Sequence, residues 1–215
     1  MNQNVQQCVD WRTEEFLAEL RQSEQELRVA HSEYTSTVSS VDMAASLQCC
    51  GLLRALLTTL RPEKVLNLGS GFSSYVLRRY GPDVGSHHIV CVDDDEDWLE
   101  LTRNYLQGRQ LDTVNTLSWT EFALHHAREE FDLVFYDLGR MPTRTLILPL
   151  ATTWVRETTG LLILDDVHKP AYREAVSKSL NGICTIDDIS DLTTDELGRF
   201  AWLATDFTRT SIGTG

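Results

Sequence analysis

Two hydrophobic rhythms divide this chain. Through its first sixty residues the apolar positions recur at helical spacing, and from Lys64 onward short apolar runs alternate with segments of helical pattern. Residues 11–31 read as one amphipathic helix, with Trp11, Phe16, Leu17, Leu20 and Leu27 roughly on one face. The Ser- and Thr-rich stretch from His31 to Ser40 is expected to break it. A second helix is predicted from about Asp42 to Leu60, carrying Leu47, Leu52, Leu53, Leu56, Leu57 and Leu60, and Pro62 ends it.

The strands expected beyond that point are Lys64–Leu68, His88–Val92, Thr113–Leu117, Phe131–Tyr136 and Leu161–Leu164. Helices start near Ser73, Asp95, Thr120 and Pro142, and another follows Pro170. Alternation of this regularity implies right-handed crossovers between parallel strands, hence an α/β protein. The ending departs from it. Gly182–Ile186 and Phe200–Thr205 read as two strands with only the polar stretch Asp187–Gly198 between them, which predicts an antiparallel hairpin closing the sheet. Gly213-Thr214-Gly215 reads as a frayed tail.

Composition narrows the class. The 215 residues, 42% of them apolar, suit one medium domain or a domain with an added helical segment. No apolar run approaches the roughly 18 residues of a membrane span, and Met1-Asn2-Gln3-Asn4 lacks the basic and apolar regions of a secretory leader. A soluble, cytoplasmic protein with no membrane partner is expected. Cys8, Cys49, Cys50, Cys91 and Cys184 are odd in number and fit no zinc spacing, so all five read as reduced thiols. The formal charge is −13 and no Lys/Arg cluster exceeds a pair such as Arg78-Arg79, which speaks against a nucleic-acid partner.

Ligands of open α/β sheets gather outside the carboxyl ends of the strands. At the first such end the run Val65 to Ser74 carries an apolar strand into a Gly-x-Gly turn and then a helix. That arrangement brings backbone N–H groups and a helix N-terminus up to a nucleotide-type ligand. Gly69 can take a positive φ for a sharp turn, and Gly71 permits close approach. Asp93, a little over twenty residues later, can accept hydrogen bonds from both hydroxyls of an adenosine ribose, while Asp95 is the better cap for the next helix. At the end of the third strand Ser118 precedes Trp119, which either covers an adenine ring or packs under the following helix.

Asp137, Asp165 and Asp166 follow the fourth and fifth strands. Three close carboxylates repel unless they are protonated or joined by a cation, and hard oxygen ligands select Mg²⁺, Ca²⁺ or Mn²⁺. The alternative is that Asp166 caps the next helix and Asp137 binds a cofactor amine or a loop amide. His168 at the same rim can act as a general base near pH 7, or can be a surface histidine ahead of Lys169-Pro170. The pairs His87-His88 and His125-His126 lie away from the strand ends and read as structural.

Asn67-Leu68-Gly69-Ser70-Gly71, Asp93, the segment Phe131–Asp137 and the final hairpin together resemble a class I S-adenosylmethionine-dependent methyltransferase, over roughly Arg61 to Phe207. The resemblance implies a Rossmann-like, mostly parallel seven-stranded sheet with an antiparallel last strand, helices on both faces and a helical N-terminal extension. On that reading residues 1–61 are a lid or homodimer contact and residues 62–215 bind the cofactor. The cofactor S-adenosylmethionine would be held by Asn67, Gly69, Ser70, Gly71, Ser74, Asp93, Asp94, Ser118, Trp119 and Asp137. Within the class, the rim resembles the metal-dependent, catechol-type O-methyltransferases, whose Mg²⁺ or other hard divalent ligands match Asp137, Asp165 and Asp166. Two departures stand out. Asn67 replaces the usual acidic residue, and Arg140 stands near where that group has a lysine base. The base would then be His168, or the metal would acidify the hydroxyl on its own, and His168 and Asp137 are the candidate catalytic residues.

The activity implied is O-methylation of a small hydroxylated acceptor with divalent-metal assistance. Two variants share the fold: a metal-independent methyltransferase using His168 as base, and a methyltransferase-like binding protein without turnover. An NAD-dependent oxidoreductase fits less well, because Ser74 replaces the third glycine of Gly-x-Gly-x-x-Gly.

Overall fold

The structure, a computed structural model, describes residues 10–208. Cys8 and the Gly213–Gly215 tail lie outside the described residues. The apolar runs assemble one seven-stranded sheet. Strand β1 (Lys64–Leu68) sits between β2 (His88–Asp93) and β4 (Leu133–Tyr136), with β3 (Thr116–Ser118) outside β2 and β5 (Leu161–Leu164) outside β4. Strand β7 (Trp202–Thr205) inserts between β5 and the edge strand β6 (Thr185–Asp188), giving the order β3-β2-β1-β4-β5-β7-β6. The first five strands pair in parallel, and β7 runs antiparallel to both of its neighbours. The fold expected of the sequence is therefore borne out.

The central strands β1, β2, β4 and β5 are buried on both sides, so alternate residues serve two cores. Leu133, Phe135, Leu161 and Ile163 pack under α1 (Glu14–Thr37), α2 (Leu47–Leu60), α3 (Phe72–Val84) and α4 (Glu96–Gly108). Val134, Tyr136, Leu162 and Leu164 pack under α5 (Trp119–His125), α6 (Met141–Ala151) and α7 (Pro170–Leu180). Arg54 ties α2 to α1 through Glu19 at 3.0 Å, Glu26 at 2.6 Å and Ser23 Oγ at 2.7 Å. Among the described residues no helix is long and apolar enough to cross a membrane.

Several boundaries differ from expectation, each for a local reason. Helix α1 does not break at His31 but runs to Thr37, because Tyr34 is fully buried on its inner face and the Thr35 and Thr37 hydroxyls donate back to His31 O (3.0 Å) and Glu33 O (2.8 Å). Helix α2 begins at Leu47, where Ser46 caps Cys49 N. Strand β3 shrinks to three residues because Asn115, at φ 57°, turns the chain just before it. Strand β4 starts at Leu133, leaving Phe131 in an isolated bridge to Val155. The stretch between β6 and β7 is not all turn. It holds a short helix, α8 (Ser190–Thr193), where Thr193 Oγ1 donates to Ile189 O and accepts from Ala201 N.

Candidate active site

The turn after β1 is held from several sides. Gly69 takes φ +103°, and a Cβ there would lie 2.6 Å from the Asp137 backbone, so this glycine is required by the close passage of the β4 loop. Gly71 takes φ +144° and faces the Tyr34 hydroxyl and the Trp98 indole. Ser70 is fixed entirely: its N–H and hydroxyl donate to Asp93 Oδ2 at 2.7 and 2.9 Å, and its carbonyl accepts from Trp98 Nε1 at 2.7 Å. Ser74 Oγ, at the start of α3, accepts from Gly71 N and from Asn67 Nδ2 at 3.3 and 2.9 Å.

Asn67 is wholly buried, and its Oδ1 has no hydrogen-bond partner. A buried acceptor left unmatched is costly, and it marks a place for a donor from a ligand. Asp93 also accepts Asp95 N on Oδ1 at 3.0 Å. A carboxylate has about four lone-pair sites, so three internal donors leave capacity for a ligand hydroxyl. Burial raises the Asp93 pKa, and its hydrogen bonds from Asp95 and Ser70 oppose that rise. An ammonium donor at Asn67, a hydroxylated ribose at Asp93 and the N-terminus of α3 are the chemistry an S-adenosylmethionine-type molecule requires. These residues fit it.

Asp95 caps α4 as expected, accepting from Trp98 N at 3.0 Å. Asp94 is exposed and leans over Gly139, where an added Cβ would meet its Oδ2 at 2.7 Å. Ser118 is the N-cap of α5 in a reciprocal pair with Glu121. Trp119 begins α5 and packs against Phe122 and Trp154, with ring centroids 6.0 and 5.9 Å away.

The acidic rim holds a residue that sequence reading missed. Arg144, 4% exposed, lies between Asp137 and Asp166: its Nη2 is 2.6 Å from Asp137 Oδ1 and its Nη1 is 2.9 Å from Asp166 Oδ2. It also donates to the carbonyls of Asp137, Leu138 and Gly139. Lys169 Nζ adds a second cation, 2.6 Å from Asp166 Oδ2. Asp165 is turned to accept from Asp166 N at 2.7 Å. Burial would lower the Arg144 pKa, but Asp137 and Asp166 carry it higher still, so the guanidinium is permanently charged.

The three aspartates are not arranged as a ready three-ligand site. Their oxygens do not converge within 4.8 Å as a three-ligand set, and among the described residues the group that does is His88, His126 and Glu129. The oxygens of Asp137 and Asp166 facing each other are already spanned by the guanidinium. The expected joining of carboxylates by a cation is met by the chain's own arginine.

Protonation divides Asp165 from Asp166. Burial, then Asp137 and Asp166, push Asp165 up to about 8. Burial also works against charge on Asp166, yet Lys169 and Arg144 leave its pKa below the ordinary value. Burial lowers the pKa of His168, whose Nδ1 lies 3.6 Å from Asp166 Oδ1, so its imidazole is neutral near pH 7. Arg140 is exposed and makes no part of this cluster.

The N-terminal helices reach this rim. The buried thiols of Cys49 and Cys50, early in α2, have pKa values raised by burial and further by Asp165. A cavity of about 350 Å³ opens between α1, the start of α2 and the β6–β7 connection, lined by His31, Thr35, Leu47, Gln48, Asp195 and Arg199. Arg199 and Asp195 act electrostatically on His168, and Phe200 lies 6.3 Å from its ring. The cysteines at 49, 50, 91 and 184 are free thiols, as read.

No protein-family model matches the chain, and no curated protein matches it in sequence. Solved structures do match in fold. A cofactor-bound protein, Rv0187 from MTB, superposes with a TM-score of 0.61 at 18% identity, covering 85% of this chain and 91% of its own. The O-methyltransferase TomG from Streptomyces achromogenes, involved in tomaymycin synthesis and solved with SAM, gives 0.57 at 18% identity over 88% of this chain and 90% of its own. An O-methyltransferase from Bacillus cereus in complex with SAH gives 0.55 at 15% identity over 87% and 89%. At such identities the likeness establishes the shared fold.

Proposed function

We propose that this chain is an S-adenosylmethionine-dependent methyltransferase that methylates a hydroxyl of a small acceptor and needs no divalent ion for it. The observation that carries the cofactor assignment is the unmatched, buried Oδ1 of Asn67 beside the Gly-x-Gly turn. Asn67 would accept from the cofactor's ammonium and Asp93 from its ribose. Asp94, Ser118 and Trp119 would border the nucleoside, while Ser70 and Ser74 hold the Gly69–Gly71 turn rigid. The names of the matching structures, O-methyltransferases crystallised with SAM or SAH, support both the cofactor and the oxygen acceptor.

When bound, the cofactor supplies a sulfonium methyl that needs no further activation. The chain's task is then alignment and management of one proton. His168 has its Nδ1 toward Asp166, which leaves Nε2 to take the acceptor's proton. Arg144 neutralises Asp137 and Asp166, so an oxyanion forming beside them meets less negative charge. The cavity beside Arg199 is the place we assign to the acceptor. The net charge of −13 favours a small molecule over RNA.

Calorimetric titration with S-adenosylmethionine and with NAD tests the cofactor. Transfer of labelled methyl to a panel of hydroxylated aromatic acceptors, with and without EDTA, tests the chemistry. The expected result is binding of S-adenosylmethionine alone and transfer unchanged by EDTA. Absence of binding would overturn the assignment. Binding without transfer to any acceptor would favour a binding protein, and activity lost in EDTA and restored by Mg²⁺ would overturn the metal-free reading.

A further inference from the structure

The amino end of the sheet carries a second cluster, at the opposite pole from the rim. His88 opens β2, and β2 spans six residues, so about 17 Å separates His88 from Asp93. His126 follows α5 directly, and Glu129 lies in the loop leading to β4. Two pieces of chain thus meet here, the start of β2 and the turn from His126 to Glu129, closed by Glu129 N donating to His126 O at 2.9 Å. His88 Nε2 is 2.9 Å from Glu129 Oε2, and His126 Nδ1 is 2.8 Å from Glu129 Oε1. One ligand atom from each of the three residues lies within 4.8 Å of the others.

We infer that His88, His126 and Glu129 form a binding site for a borderline divalent transition-metal ion, with Zn²⁺ the best match. Two imidazole nitrogens and one carboxylate oxygen are the donors such ions take, whereas Mg²⁺ and Ca²⁺ prefer oxygen throughout. The rings are already oriented. His88 stacks on Phe131 at 11° between planes, and His126 stacks on Phe122 at 14°. Holding ligands in place before the ion arrives lowers the ordering cost of binding.

A second observation points to a ligand. His88 Nε2 is buried and has no hydrogen-bond partner, although Glu129 Oε2 is close. That oxygen instead accepts from Lys64 Nζ at 3.1 Å. A buried imidazole nitrogen that sits beside a carboxylate without a hydrogen bond to it is left short of a partner, and a metal ion between the two takes its lone pair. Binding takes the place of the direct His126–Glu129 contact and displaces the Lys64 ammonium, whose side chain is 40% exposed and free to swing away. The three ligands are partly exposed, at 30, 15 and 26%, so an ion enters from solvent and keeps a water in its open position. The consequence is a staple joining the start of β2 to the α5–β4 connection, independent of the methyl-transfer reading.

The full chain, stripped with EDTA and kept reduced, is titrated with CoCl₂ while its visible d–d absorption is followed, and Co²⁺ is then displaced by ZnCl₂. One Co²⁺ per chain with the intense bands of a low-coordinate site is expected, and Zn²⁺ should abolish them. His88→Ala and His126→Ala should each weaken binding by more than the roughly tenfold to hundredfold cost of disturbing an outer partner. Lys64→Met should tighten it, since the competing ammonium is gone, and this gain does not depend on removing a ligand. Asp166→Asn at the other pole should change nothing. The proposal fails if the wild type and Lys64→Met show no saturable spectrum. It fails equally if the spectrum survives in the His88→Ala, His126→Ala double variant, as it would for an ion held by cysteine thiolates.

Discussion

Arg144 Nη2 stands 2.6 Å from Asp137 Oδ1, inside a place only 4% exposed, and the same guanidinium reaches Asp166 at 2.9 Å. A residue of α6 thereby joins the ends of β4 and β5. A divalent ion at these carboxylates would first have to expel a guanidinium that also bonds three backbone carbonyls.

Arg144→Ala is therefore expected to do two things. Removing one partner of a buried pair leaves uncompensated charge, so urea unfolding should show a loss of about 3–5 kcal/mol. The vacated place between the carboxylates should also gain affinity for Mn²⁺, read by electron paramagnetic resonance, and a further Asp166→Asn change should remove that gain. Mn²⁺ bound by the wild type and lost in Asp166→Asn alone would contradict the arrangement.

Asp165 contributes a pH-dependent part of the stability. Its carboxyl is pushed up to about 8 by burial, Asp137 and Asp166, against roughly 3.9 in an unfolded chain. Between those values the native state keeps a proton that the unfolded state has released. Stability contributed by Asp165 is thus full below the unfolded pKa and is lost as pH rises through the folded one. Denaturant midpoints of the wild type should fall between about pH 4 and pH 8, the window this pair of values defines. Asp165→Asn, neutral at every pH and still able to accept from Asp166 N, should flatten that fall. Equal slopes for the two proteins would show that another group titrates.

The central strands were legible because β1, β2, β4 and β5 are short apolar runs with a polar residue at or beside the carboxyl end, where Asn67, Asp93, Asp137 and Asp165 lie. What escaped was the meeting of side chains from different elements. Arg144 reads as an ordinary helix arginine in Met-Pro-Thr-Arg-Thr-Leu. A signal existed, since Arg144, Leu148 and Ala151 recur at helical spacing and form the buried stripe of α6. A charged residue on a buried stripe implies a partner, and the nearest candidate in sequence was Asp137, two helical turns away. His88 and His126 gave no such hint. Each belongs to a histidine pair with one exposed member, His87 or His125, and only the β2–α5 packing brings the inner members together. The break expected at His31 failed for a related reason: Ser and Thr hydroxyls bonded back along α1, and burial of Tyr34 outweighed their weak helix preference.

His168 should control the acid limb of activity. Burial lowers its pKa below the ordinary imidazole value of about 6.5, and a base works only when neutral. The rate should rise with pH below that value and level off near neutrality. His168→Gln should reduce kcat by about 10²–10⁴ while altering KM for the cofactor little, and should erase the limb. A full-rate variant, or one that keeps the limb, would remove His168 from the proton's path.

Asn67 offers the sharpest separation of ligand binding from folding. Its Nδ2 holds Ser74 Oγ at 2.9 Å while its Oδ1 is unmatched, so the two ends of one amide serve the fold and the ligand separately. Asn67→Asp places a carboxylate where the cofactor's ammonium is expected. Charge-assisted hydrogen bonds are roughly twice as strong as neutral ones, so affinity for S-adenosylmethionine should rise by about tenfold. The ligand-free protein should become less stable, because the carboxylate is buried without a cation and the donor to Ser74 is lost. Asn67→Leu should destabilise as well, yet lose cofactor affinity instead of gaining it. Opposite changes in affinity with the same sign of change in stability identify a ligand contact. If both variants merely destabilise and bind the cofactor as the wild type does, Asn67 is a structural residue and the unmatched oxygen belongs to the fold alone.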